Sequence, residues 1–163
     1  MLISDKYREQ QQKLHEMAYG VSGGKYAKEV ANAGLPDILD YGCGKRMLEK
    51  ALGFKIHNYD PCIEGLEENN TPHDFVYCGD VLEHIEPDCL DYVLADIRRC
   101  MKVKGLLVIS TVKASKTLSD GRNAHLIIKP ADWWRERLVE YFTITKEEVK
   151  PDEYLAWVSV IRS

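Results

Sequence analysis

An open α/β sheet, mostly parallel and closed by an antiparallel β-hairpin, is the fold class the sequence predicts. Three observations predict it. Short apolar runs alternate with helix-patterned segments through the middle of the chain. Residues 106–111 are apolar and β-branched without alternation, as a strand buried on both faces requires. Residues 142–149 and 154–162 read as two strands joined by Lys150-Pro151-Asp152-Glu153. The chain has 163 residues, of which 45% are hydrophobic and 29% charged, so it can bury one core and is not disordered. A single domain over residues 1–163 is expected, with N-terminal helices in 1–34 and a core in 35–163.

The elements follow in order. Residues 4–18 place Ile3, Tyr7, Leu14 and Met17 on one side of a polar helix. Ser22-Gly23-Gly24 makes a loop, and a second helix over 26–33 stops at Gly34 before Pro36. Residues 37–41 form a short buried strand that runs into Gly42-Cys43-Gly44. Met47, Leu48, Ala51 and Leu52 then recur at helical spacing over 45–52, with Gly53 as the residue that ends the helix. A second strand covers 55–59, a short helix 62–68, and a third strand 75–78. Pro87 and Asp88 open a helix whose Leu90, Val93, Leu94, Ile97 and Met101 share one face. Lys102 and Lys104 suit its C-terminus and Gly105 is read as its end. After the strand 106–111 come a polar loop, 113–123, and a helix from Pro130 to about residue 141.

Charge and cysteine usage narrow the function. The net charge is −4, which does not provide a basic groove for nucleic acid. No apolar run approaches the roughly 18 residues of a membrane span, and the polar start of the chain is no secretory signal. The five cysteines stand singly, without a C-x-x-C pair, so neither a disulfide framework nor a thiolate metal site is expected. A reducing cytoplasm is the expected compartment.

The strongest chemical signal is the strand–glycine turn–helix around Asp40-Tyr41-Gly42-Cys43-Gly44. Glycines there let the backbone approach a ligand without a Cβ in the way. Asp60 follows twenty residues after Asp40, at the end of the next strand, where a carboxylate can accept from both hydroxyls of a ribose. Together they describe a pocket for a cofactor that contains a nucleoside. A dinucleotide site would carry a third glycine for close helix packing; Met47 stands there, which weighs against NAD.

With Asp80-Val81-Leu82-Glu83-His84-Ile85 after the third strand, the sequence resembles the class I S-adenosylmethionine-dependent methyltransferases, whose fold is Rossmann-like. The likeness covers about residues 19–162. It is to the small-molecule type in particular, compact forms met in bacteria and their phages. The resemblance implies S-adenosyl-L-methionine as cofactor. Asp40 and the Gly42 and Gly44 backbone would face its methionine part, and Asp60 its ribose. Asp80, Val81 and Leu82 would line the methyl-donor side. Tyr19 and Tyr26, with the N-terminal helices, would cover it. Only fourteen residues separate Asp60 from Phe75, so the family's edge strand after Asp60 is expected to be reduced or absent.

The transferred methyl group leaves a sulfonium, so the protein chiefly aligns a nucleophile and, for a hydroxyl acceptor, removes a proton. His125 and His84, each after a strand, are the candidate bases, against the plain reading of hydrogen-bonded structural histidines. Arg122 is a candidate for an anionic substrate group, and Trp133 and Trp134 for a pocket wall. The family's base-amino enzymes carry Asn or Asp with Pro-Pro-aromatic where Asp80-Val81-Leu82-Glu83 stands. A small molecule, sugar or nucleotide acceptor is expected, not duplex nucleic acid, and no membrane partner. Glu83-His84-Ile85-Glu86, Asp88 and Asp91 read as charge at a helix start, so no metal is expected. The competing readings are a catalytically silent cofactor-binding or partner-binding module, an oxidoreductase, and an enzyme that transfers another group of the same cofactor.

Overall fold

The computed structural model describes residues 1–15, 22–69 and 71–160. Helices α1 (Asp5–His15) and α2 (Ala27–Asn32) precede β1 (Ile38–Tyr41), α3 (Met47–Leu52) and β2 (His57–Tyr59). Then come β3 (His73–Gly79), α4 (Leu90–Cys100), β4 (Met101–Ser110), α5 (Ala131–Leu138), β5 (Phe142–Val149) and β6 (Glu153–Val160). The sheet runs β2-β1-β3-β4-β6-β5. β2, β1, β3 and β4 are mutually parallel, and β6 is antiparallel to both β4 and β5. Among the described residues no strand lies outside β2, so the sheet lacks the further edge strand, as the short connection to β3 requires.

The sheet is covered on both faces, which explains why its central strands do not alternate in polarity. Leu39, Val76, Cys78, Leu107 and Ile109 point to a core shared with Leu90, Val93, Leu94 and Ile97 of α4 and Trp134 and Leu138 of α5. Ile38, Phe75, Tyr77, Leu106 and Val108 point the other way, to Val30 of α2 and Leu48 of α3. A third cluster joins Tyr7 and Leu14 of α1 to Leu118 and Ala124 of the loop after β4.

Two elements differ from the sequence pattern. The helix expected to run to Gly105 ends at Cys100, because Met101 is already extended at φ −105° and ψ 119°. Met101 is buried, as helical spacing implied, but as the first residue of β4. Gly105 lies inside that strand opposite Val76. The short helix expected over 62–68 does not form. Gly65 is left-handed at φ +85°, which breaks a right-handed turn, and the segment folds as linked turns instead. In them Asp60 N–H donates to Leu66 O and Ile63 N–H to Asp60 O. No described helix is long and apolar enough to cross a membrane.

Candidate functional site

The carboxyl ends of β1, β2, β3 and β4 lie together, and six of the sequence-predicted residues, Asp40, Gly42, Gly44, Asp60, Asp80 and Val81, stand there. β1 leaves the sheet through Gly42 at φ +79° and Gly44 at φ +52°. The turn is pinned to β2, since Gly42 N–H and Cys43 N–H both donate to Tyr59 O, at 2.7 and 3.0 Å. A Cβ on Gly42 would overlap the methyl groups of Val81, one of them at 3.1 Å, so the glycine turn packs directly on the segment after β3. Gly44 N–H donates to Asp60 Oδ2 at 3.0 Å and Cys62 N–H to Asp60 Oδ1 at 2.9 Å. The Asp60 carboxylate is thus fixed in a buried position.

Asp40, in β1 just before the turn, is 2% exposed, and its Oδ2 has no hydrogen-bond partner. Burial above all, then the charges of Asp60 and Glu49, push its pKa up to about 8. Just past the end of β3, Asp80 adopts the left-handed φ of +55°, which costs a non-glycine residue free energy. Its N–H donates to Val108 O at 2.9 Å, which ties the residue after β3 to β4. The orphaned buried carboxyl of Asp40 and the backbone-held Asp60 fit an adenosyl cofactor with a cationic tail. Replacement of Asp60 by Ala removes the acceptor of two backbone N–H groups as well as the carboxylate expected to meet the ribose. S-adenosylhomocysteine affinity, measured calorimetrically, is expected to fall at least about tenfold, or ~1.4 kcal/mol; an unchanged affinity removes the ribose assignment.

Other candidates are placed as follows. Tyr19 lies outside the described residues. Tyr26 is buried and its hydroxyl donates to Glu153, which also pairs with Lys25 at 2.8 Å. Arg122 is exposed and paired with Asp120 at 2.8 Å, so it braces its own loop. Trp134 is fully buried in the core, whereas Trp133 lines a cavity of about 400 Å³ with Pro87, Leu90, Ile127, Lys129 and Arg137.

His84 and His125 do come together, although β4 separates them in sequence. Their rings meet edge to face with centroids 4.7 Å apart. His84 Nδ1 lies 2.8 Å from Ala124 O, and His125 Nδ1 lies 2.6 Å from Val112 O. A carbonyl only accepts, so each Nδ1 carries the proton and Nε2 is the basic nitrogen of each neutral ring. Tyr7 of α1 donates its hydroxyl to His84 O, and Asn123 Oδ1 accepts from His125 N–H at 3.0 Å. Glu83 beside them was not singled out by sequence, since an acid next to a helix start looks solvated. It is fully buried. Its Oε1 accepts from Ser110 N–H at 3.1 Å, while Oε2 has no hydrogen-bond partner. Burial first, and then the neighbouring Asp80, holds its pKa well above the carboxylate range.

The fold is shared with known proteins. The family model for a methyltransferase domain matches residues 7–146. No curated protein matches significantly in sequence. Among solved structures, the fold matches a 1,6-didemethyltoxoflavin N1-methyltransferase of Burkholderia thailandensis, solved with its substrate and S-adenosylhomocysteine. That match has a TM-score of 0.69 and 15% identity, over 99% of this chain and 92% of the other. The DhpI complex with S-adenosylhomocysteine matches with a TM-score of 0.65 and 19% identity, over 95% of this chain and 93% of that one. The protein PH0226 of Pyrococcus horikoshii matches with a TM-score of 0.61 and 16% identity, over 98% and 100%. A glycine turn on β1, an acid at the end of β2 and a family match over most of its length leave one conclusion: the chain belongs to the methyltransferase-domain family and is a class I S-adenosylmethionine-dependent methyltransferase.

Proposed function

We propose that the enzyme methylates a hydroxyl of a small molecule, and that His84 and His125 are the residues that activate it. The carrying observation is the meeting of these two imidazoles at the carboxyl ends of β3 and β4, each with Nε2 as its basic nitrogen. When bound, S-adenosylmethionine supplies a methyl group on a sulfonium, an electrophile that needs no further activation. The chain's part is to hold both partners in line and to manage the acceptor's proton. Asp60 takes the ribose hydroxyls. Asp40 takes the ammonium of the methionine part. Asp80 and Val81 border the methyl-donor side. The small-molecule reading is supported by the net charge of −4 and by the small heterocyclic substrate that the Burkholderia relative binds. Residues 1–34 are assigned to the cover of this cleft in a single domain.

Two measurements test the reading. Thermal unfolding is expected to shift upward with S-adenosylmethionine or S-adenosylhomocysteine and not with NADH, since a ligand of the folded state stabilises it. A shift with NADH alone reverses the assignment. In a screen of phenols and hydroxylated heterocycles for release of S-adenosylhomocysteine, His125→Ala is expected to lower turnover about 10²-fold or more. Its cofactor affinity is expected to stay within about twofold. An unaltered rate, or activity confined to duplex DNA, overturns the assignment.

A further inference from the structure

Two groups of three metal-ligating side chains occur among the described residues, and they differ in kind. In the first, Asp37, His57 and His73, the buried histidine is already saturated. Its Nδ1 lies 2.8 Å from Asp37 Oδ1 and its Nε2 lies 3.1 Å from Asn69 Oδ1. That group is a structural brace at the amino ends of β1, β2 and β3. In the second group, Glu83, His84 and His125, one ligand atom of each lies within 4.8 Å of the others.

We propose that Glu83, His84 and His125 hold a divalent first-row cation, which binds the acceptor hydroxyl. The inference rests on the methyltransferase reading above and says how the two histidines serve it. Three observations support it. Each imidazole donates Nδ1–H to a backbone carbonyl, the second contact by which a ligating histidine is oriented and its other nitrogen made more basic. The fully buried Glu83 carboxyl accepts from Ser110 N–H through Oε1 and lies beside the Asp80 carboxyl, and its Oε2 meets no hydrogen-bond donor, although such groups are almost always satisfied. Finally, two imidazoles and a carboxylate are a donor set that suits zinc, iron, cobalt and manganese and leaves positions open for substrate. Atoms bound to one such ion at about 2.1 Å stand roughly 3–4 Å apart, so small side-chain rotations complete the set.

The site selects the acceptor class. An oxygen acid bound to a cation loses its proton more readily and keeps a lone pair for attack, whereas an amine gives its only lone pair to the ion. The acceptor proton passes to water, the new C–O bond forms, and the S–CH₃ bond breaks with its electron pair left on sulfur. Sequence spacing conceals the site because the third ligand comes from beyond β4, and the Glu83-His84 pair alone resembles helix-start charge.

The test is a Co²⁺ titration of the full chain, stripped with a chelator and saturated with S-adenosylhomocysteine, read by visible absorption. Wild type is expected to saturate at one equivalent and to release Co²⁺ to added Zn²⁺. His125→Ala and Glu83→Gln are expected to bind at least about 100-fold more weakly while keeping the thermal shift with S-adenosylhomocysteine. His57→Ala, in the other group, is expected to bind as wild type does. Wild-type protein that binds S-adenosylhomocysteine but no Co²⁺ overturns the cation site and leaves the methyltransferase reading intact. So does a His125→Ala protein that binds Co²⁺ as tightly as wild type. Glu83 is buried, and if Glu83→Gln does not fold, the partly exposed His125 carries the test alone.

Discussion

Asp40→Asn is expected to melt higher than the wild-type protein in the absence of cofactor and to lose most of its thermal response to S-adenosylmethionine. The reason is the burial of a carboxyl whose Oδ2 has no partner. Its folded pKa stands at about 8, above the roughly 3.9 of an unfolded aspartate. Between those values the unfolded chain releases a proton that the folded chain retains. Stability therefore falls as pH rises from about 4 to about 8 and is level beyond it. Near pH 7 the cost is on the order of 4 kcal/mol. Asparagine removes the ionisation but leaves an amide with the same lack of partners. A gain of about 2 kcal/mol, or roughly 4–8 °C in Tm, is the expected net effect. In the function proposed here the same residue would supply the counter-charge for the cofactor's ammonium. Binding ionises Asp40 and releases its proton, so wild-type affinity is expected to rise from pH 6 to pH 8 and Asp40→Asn to lose that slope. The check is a set of melting curves and calorimetric titrations across this range. An Asp40→Asn protein that melts lower, or that binds with wild-type affinity and slope, sinks the assignment.

What the sequence made legible follows from the range of the interaction. The glycine turn and the acid at position 60 were readable because local chemistry dictates them, whereas the Asp80–Val81 segment was singled out only through the family resemblance. Positive φ at Gly42 and Gly44, and an acid at a strand end, require particular residue types at short spacing. The absence of a strand beyond β2 was readable from chain length alone. The boundary between α4 and β4 was not. Met101 satisfies the apolar face of either a helix or a strand, and only pairing with β3 decides between them. The fate of Arg122 was equally hidden, since its partner Asp120 lies in the same loop and the sequence cannot show which way that loop folds. The buried state of Glu83 depends on Ser110 at the far end of β4, a contact that no local pattern encodes.

Gly105→Ala is expected to be the most destabilising of the simple glycine replacements at the centre of the sheet. The sequence offers Gly105 as a helix end, yet its place is mid-strand, opposite Val76 of β3. Its backbone is not left-handed, so conformational strain is not the cause. The obstacle is space. An added Cβ would overlap the carbonyl oxygen of Val76 and stand 2.7 Å from Met101 Cε. The methionine tip can move; the Val76 oxygen belongs to the β3–β4 ladder and cannot move without parting two central strands. Overpacking of this kind costs about 3 kcal/mol or more, which lowers Tm by roughly 6–12 °C in a chain of this length. Gly34 provides the contrast, with φ of +71° and open space around it, so Gly34→Ala is expected to lose only about 1 kcal/mol. Urea unfolding of the two variants separates space from conformation. A Gly105→Ala midpoint as high as that of Gly34→Ala would mean that β3 and β4 are not held as closely as this register requires.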